Sequence, residues 1–205
     1  MTHDDRGVIH WAARYDLLVT LLTLGRERAL RERVLDLATL APGESVLDVG
    51  CGTGTLAIAA KRRIGAAGRV HGSDASPEMI ARARKKAKRA GVDVDFETAR
   101  AESLPLPDSR FDVALSTMML HHLRWAARQE CLRELRRVLR PGGRVLAVDF
   151  GRTAGPPRGI VARLHRHGLM ELDAMVAQVR ESGLQVIESG EVGIGSLLFV
   201  LATAP

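Results

Sequence analysis

The residues best arranged for chemistry lie in one stretch, VLDVGCGTG at 46–54. A short apolar run carries Asp48 and passes into glycines at 50, 52 and 54. Glycine lets the backbone approach a ligand closely, and the alanine-rich segment that follows reads as a helix whose first N–H groups are free. What is missing constrains the ligand. A phosphate loop needs Gly-Lys-Ser/Thr, which does not occur here, and a dinucleotide turn wants glycine or alanine where this chain has Thr55. Asp48, just ahead of the turn, would repel a pyrophosphate and attract an ammonium or a sulfonium. A second acid, Asp74, ends the next apolar run, where it can accept hydrogen bonds from both hydroxyls of a ribose. An adenosine joined to a positively charged amino acid suits this pair better than an adenosine joined to phosphates. Such ligands bind in the crevice at the carboxyl ends of an open α/β sheet.

The elements that must hold these residues follow from the pattern. Residues 11–40 read as mostly helical, with a break at Gly25, and Pro42-Gly43 ends them. Strands are expected at 45–49, 69–74, 92–98, 111–116, 144–150, 185–191 and 196–203. Helices are expected to about Ile64, from Ser76-Pro77-Glu78 to Ala90, over 125–139 and over 171–182. Alternating strands and helices predict an α/β fold: a doubly wound, seven-stranded, mostly parallel sheet with helices on both faces. The last two strands have only residues 192–195 between them, so they must form an antiparallel hairpin.

Composition bounds the rest. With 205 residues, 46% hydrophobic and 26% charged, the chain has ordinary globular usage and enough sequence for one core. The expectation is a single domain over 1–205, with a helical cap at 1–40, a cofactor-binding core at 41–150 and a substrate loop, last helix and hairpin at 151–205. No apolar run reaches the roughly 18 residues of a membrane span, and the start, MTHDDRG, is acidic, so a cytoplasmic protein is expected. Cys51 and Cys131 make neither a disulfide framework nor a zinc pattern, and no metal site is read.

The net charge of +6 is local. Ten basic residues between Lys61 and Arg89 face only Asp74 and Glu78, and seven arginines between Arg124 and Arg144 face only Glu130 and Glu134. Apolar residues recur among them at helical spacing, so they read as solvated helix faces rather than a nucleic-acid surface. Aromatic content of 3% leaves few rings for stacking on bases.

VLDVGCGTG, VHGSDASPEMIARAR, AESLPLPDSRFDVALSTMMLHHL and LRPGGRVLAVDF, in that order, resemble the motifs of class I S-adenosylmethionine-dependent methyltransferases. Tyr15-Asp16 and LLTLGRERALRERVLDLATLAPGE resemble the ubiquinone/menaquinone-biosynthesis subgroup. The resemblance implies a Rossmann-like methyltransferase fold and S-adenosylmethionine as cofactor, with S-adenosylhomocysteine as product. Asp48, Gly50, Cys51, Gly52, Thr53 and Gly54 would hold the methionine moiety, Asp74 the ribose, and Ala75 the adenine. Ala101 and Glu102 would flank the adenine edge, and Ser116 would reach the methionine part through its backbone. One position departs from the family: Arg100 stands where an aspartate usually accepts from the adenine amino group, and arginine only donates.

His121 and His122 follow the fourth strand, on the side where the methyl would be transferred, and are the candidate bases. Trp11 and Tyr15 on the N-terminal helix, with His165 in the loop after the fifth strand, are candidates for the substrate pocket. Cys51, Cys131, Met118 and Met119 read as packing residues. The motifs of nucleic-acid amino, cytosine-C5, protein-arginine and metal-dependent catecholate methylation do not occur. The expected acceptor is therefore a small, partly apolar molecule such as a quinone precursor. A phospholipid amine at an anionic membrane surface is the rival acceptor. A nucleotide-dependent oxidoreductase and a basic binding module with a relic pocket are the rival classes.

Overall fold

The computed structural model describes residues 27–151 and 169–205. Helix α1 (Glu27–Leu37) leads into β1 (Ser45–Val49), α2 (Thr55–Ile64), β2 (Arg69–Asp74), α3 (Pro77–Ala90) and β3 (Asp95–Thr98). Next come β4 (Phe111–Thr117), a 3₁₀ turn (Leu120–His122), α4 (Trp125–Val138) and β5 (Leu139–Phe150). Helix α5 (Leu172–Glu181) and strands β6 (Gln185–Glu191) and β7 (Leu197–Thr203) close the described chain.

All seven strands join one sheet in the order β3-β2-β1-β4-β5-β7-β6. Strands β1 to β5 pair in parallel, and β7 runs antiparallel to both β5 and β6, as the short hairpin connection requires. The strand order reverses between β2-β1 and β4, which opens a crevice at the carboxyl end of β1. Two apolar layers cover the sheet. On one face Leu30, Val34, Ala57, Ile64, Ile80 and Ala83, from α1, α2 and α3, pack over Val46, Val113 and Leu115. On the other, Leu132, Leu135, Met175 and Val179, from α4 and α5, pack over Leu47, Val49 and Ala114.

Local chemistry sets the ends. Ser76 caps α3 by accepting from the Met79 N–H at 3.3 Å, Pro77 fills the first helical position, and Gly91 leaves the helix at φ 62°. Strand β3 is shorter than expected, beginning at Asp95. Strand β5 carries a bulge, since Phe111 pairs with Leu139 while Val113 already pairs with Arg144. The 3₁₀ turn at Leu120–His122 was not expected from the sequence.

Several arginines and lysines are bound rather than solvated. Arg144 on β5 grips Glu44 with both amino groups, at 2.8 and 2.9 Å, and donates to the carbonyls of Ala38 and Thr39, tying the end of α1 to the sheet. Arg137 holds the 104–108 loop through Glu134, Asp108 and the carbonyls of Leu104 and Leu106. The two basic groups are centred on α3 and α4, which cover opposite faces of the sheet, so they form no single charged surface.

Trp11, Tyr15 and His165 lie outside the described residues. Among the described residues no helix is long and apolar enough to cross a membrane.

Candidate cofactor and active site

Two cavities meet at the end of β1, sharing Gly50 and Met118. The first is lined by Gly52, Asp74, Ala75, Ser76, Met79, Ala99, Ala101, Glu102, Met119, His122 and Leu123. The second is lined by Glu27, Leu30, Arg31, Val34, Asp48, Cys51, Thr53, Thr55, Leu56 and Thr117. Together they make a bent groove over the glycine turn, with Asp74 and Glu102 on the first arm and Glu27 and Asp48 on the second.

The turn is braced from β2. Gly50 and Cys51 donate backbone N–H groups to the Ser73 carbonyl at 2.8 and 3.0 Å, and Gly52 donates to Asp74 Oδ2 at 2.9 Å. Asp74 Oδ1 accepts from the Ser76 N–H at 2.9 Å, so this carboxylate ties the turn to the start of α3. Burial raises its pKa, and these two N–H bonds oppose that rise. A carboxylate oxygen can accept more than one bond, which leaves Asp74 able to take ribose hydroxyls as well. Asp74→Ala is expected to weaken S-adenosylhomocysteine binding by about 10-fold or more, read by calorimetric titration. An unchanged dissociation constant would remove Asp74 from the ribose site.

Gly50 and Gly54 are there for different reasons. A side chain on Gly50 (φ 71°) would strike Met119 Cγ at 2.3 Å, so the bare backbone here sets the depth of the groove. Gly54 (φ 75°) lines neither cavity, and a side chain there would strike Phe96 and Ala83 at 2.7 and 2.9 Å. Its missing side chain lets α2 pack closely against α3 and β3.

Asp48 is 2% exposed, and among the described residues its Oδ2 has no hydrogen-bond partner. Burial pushes its carboxyl up to about 7, and the charge of Asp74 adds to this, against a backbone N–H from Ala57. Thr117 Oγ1, on the same wall, is also buried without a partner. An unpaired buried carboxylate costs several kcal/mol unless a cation meets it. An ammonium in this arm would supply that cation. Cys51 lines the same arm, but burial and the two acids push its thiol far above the ordinary range, so it packs and does not attack.

Arg100 does not occupy the adenine edge. Its side chain is 77% exposed and turns onto Glu102 Oε1, with Nε at 2.8 Å. The carboxylate that lines the groove here is Glu102. Ser116 is fully buried and lines neither cavity; Thr117, one residue on, is the residue of β4 that does.

The two histidines separate by position. His122 lines the first cavity, whereas His121 points back into the protein. His121 N–H and Nδ1 meet Asp149 Oδ2 and Oδ1 at 2.9 and 2.6 Å, and Asp149 Oδ1 also accepts from the Phe150 N–H at 2.7 Å. Asp149 is fully buried. A carboxylate can only accept, so the His121 proton sits on Nδ1. The His121 and His122 rings lie 3.9 Å apart, and Arg128 donates to the carbonyls of Leu120 and Leu123 around them, both at 3.1 Å. Met118, with φ 53°, ends β4 in a left-handed conformation that is uncommon outside glycine. Met118 and Met119, read from sequence as packing residues, do pack against the two apolar layers and also line the groove.

The chain matches the family described as "Methyltransferase domain" over residues 46–143. It is 40% identical over 155 residues to a demethylmenaquinone methyltransferase of Thermus thermophilus, covering 76% of this chain and 68% of that one. The chain belongs to the class I S-adenosylmethionine-dependent methyltransferases, in the ubiquinone/menaquinone-biosynthesis-like subgroup. A ubiquinone/menaquinone biosynthesis C-methyltransferase of an Enterobacter species is 33% identical over 181 residues, covering 87% of this chain and 71% of the relative. The solved structure of a methyltransferase from Aquifex aeolicus shares the fold, with a TM-score of 0.76 at 24% identity over 93% of this chain and 98% of that one. S-adenosylmethionine is thus the cofactor, and the residues fit it. Asp74 stands in one arm of the methyltransferase's groove, and Asp48, buried with an unpartnered Oδ2, stands in the other.

Proposed function

We propose that this enzyme methylates a ring carbon of a quinone precursor in its reduced, hydroquinone form. The observation that carries the reading is one wall of the first cavity: Met118, which the second cavity shares, with Met119, Leu123 and the imidazole of His122. An apolar, flat acceptor with an ionisable hydroxyl suits it, and the relatives named above act in quinone biosynthesis.

The cofactor supplies an electrophilic methyl group on a sulfonium. The chain's part is to orient, to exclude water and to move a proton. His122 takes the hydroxyl proton of the hydroquinone, which raises electron density on the adjacent ring carbon. That carbon would take the methyl group, and the electron pair of the broken C–S bond would stay with the sulfur. The ring C–H proton then leaves to water, which restores aromaticity as the phenolate, and His122 returns the hydroxyl proton to its oxygen. Met118 and Met119 keep this corner apolar, so the developing neutral product is not disfavoured there.

Incubating the enzyme with methyl-labelled S-adenosylmethionine tests the reading, offering a prenylated naphthohydroquinone in one reaction and phosphatidylethanolamine vesicles in another. Label on a ring carbon of the hydroquinone is expected. Label in the phospholipid would replace this reading by amine methylation, which the separation of the basic helices α3 and α4 onto opposite faces disfavours.

A further inference from the structure

Lys86 lies on α3, away from the motifs that carry the family resemblance at the turn, yet its ammonium reaches into the site. Nζ donates to Thr53 Oγ1 and to Thr55 Oγ1, both at 2.7 Å, and the two hydroxyl oxygens are 3.4 Å apart. Thr53 belongs to the glycine turn and is 4% exposed; Thr55 is the first residue of α2. Both line the second arm of the groove, the arm that also holds Asp48. One lysine therefore fixes two hydroxyls on a cavity wall and sets a positive charge directly behind them. An oxygen that accepts from an ammonium can still donate through its own hydrogen. The wall formed by Thr53, Thr55 and the start of α2 thus favours an anion, while Asp48 favours a cation. Such a cavity matches a zwitterion.

We propose that Lys86 is a positioning residue for the amino-acid end of the cofactor, setting affinity for its carboxylate through Thr53 and Thr55. The proposal rests on the cofactor alone and not on the identity of the acceptor, so either can fail without the other.

Three ligands resolve it by titration calorimetry on the full chain. S-adenosylhomocysteine carries both charged groups, decarboxylated S-adenosylmethionine lacks the carboxylate, and 5′-methylthioadenosine lacks the whole amino-acid end. Lys86→Met is expected to weaken S-adenosylhomocysteine by about tenfold. It should leave the other two ligands within about twofold of wild type. Lys86→Arg should restore most of the loss. Equal weakening of all three ligands would overturn the proposal, because Lys86 would then only support the turn, and so would no weakening at all. Should Lys86→Met fail to fold, Thr55→Val removes one of the two hydroxyls while keeping its shape. It must show the same ligand pattern, and an unchanged affinity for S-adenosylhomocysteine in that variant would equally overturn the role.

Discussion

Replacing His122 by glutamine is expected to lower turnover on a hydroquinone acceptor by about 10²- to 10⁴-fold, with S-adenosylhomocysteine affinity within about twofold of wild type. The split follows from placement. His122 lines the first cavity, which joins the second at Gly50 and Met118, and it does not line the arm that holds Asp48. Its support is rigid: its backbone N–H donates to the Met119 carbonyl at 3.0 Å, and Arg128 satisfies the carbonyls on either side. His121, read from sequence as an equal candidate, is instead a strut. Its Nδ1 proton is committed to Asp149, and its ring backs that of His122 at 3.9 Å. His121→Ala should therefore cost about tenfold in kcat and also lower stability, because Asp149 keeps the backbone N–H of residue 121 but loses the imidazole donor that helps to make its burial tolerable. Steady-state kinetics with both variants decide the matter. Unaltered kcat in His122→Gln, with a competent acceptor, would leave His122 a wall and not a base.

How far these roles were legible in the sequence depends on the distance over which each is determined. The glycine turn, Asp48, Asp74 and the cap Ser76-Pro77 act within a few residues of themselves, and local pattern reveals them. The order of strands follows from alternation, and the reversed last strand from a connection too short to cross the sheet. What sequence misses is made by pairs far apart in the chain. His121 meets Asp149 across 28 residues, and Lys86 meets Thr53 across 33. Neither partner looks unusual alone: Asp149 resembles a strand end, and Lys86 is one cation in a basic helix. Met118 and Met119 were read as core because methionine is apolar. Only the left-handed turn at Met118 after β4 places them in the groove. Gly54 misleads the other way, since a glycine in a binding motif invites a ligand role that packing against Phe96 already accounts for.

Cofactor binding is expected to be pH-dependent through Asp48, with S-adenosylhomocysteine about tenfold weaker at pH 6 than at pH 8. The carboxyl is fully buried and held near 7 in the free protein, so below that pH it carries a proton. An ammonium bound against it requires the ionised form, so binding below pH 7 must first expel the proton. The sign for stability is the reverse. This acid has its native pKa raised from 3.8, so the unfolded chain binds fewer protons than the native state between 3.8 and about 7. Stability of the free protein therefore falls as pH rises through that window. At 1.36 kcal/mol per pH unit, the span from 3.8 to about 7 is on the order of 4 kcal/mol. Above pH 7 the free enzyme bears this strain, and the cofactor's ammonium relieves it, so the thermal shift on adding ligand should grow from pH 6 to pH 8. Asp48→Asn removes the charge but keeps the shape. It should bind S-adenosylhomocysteine about 10- to 100-fold more weakly at pH 8 and lose the pH 6 to pH 8 difference. Any titration of the ligand itself is common to both proteins, so the difference between their profiles belongs to Asp48. A wild-type affinity that is flat from pH 6 to pH 8 would mean that Asp48 is already ionised in the free protein or does not face the ammonium. The unpaired Oδ2 would then need another partner.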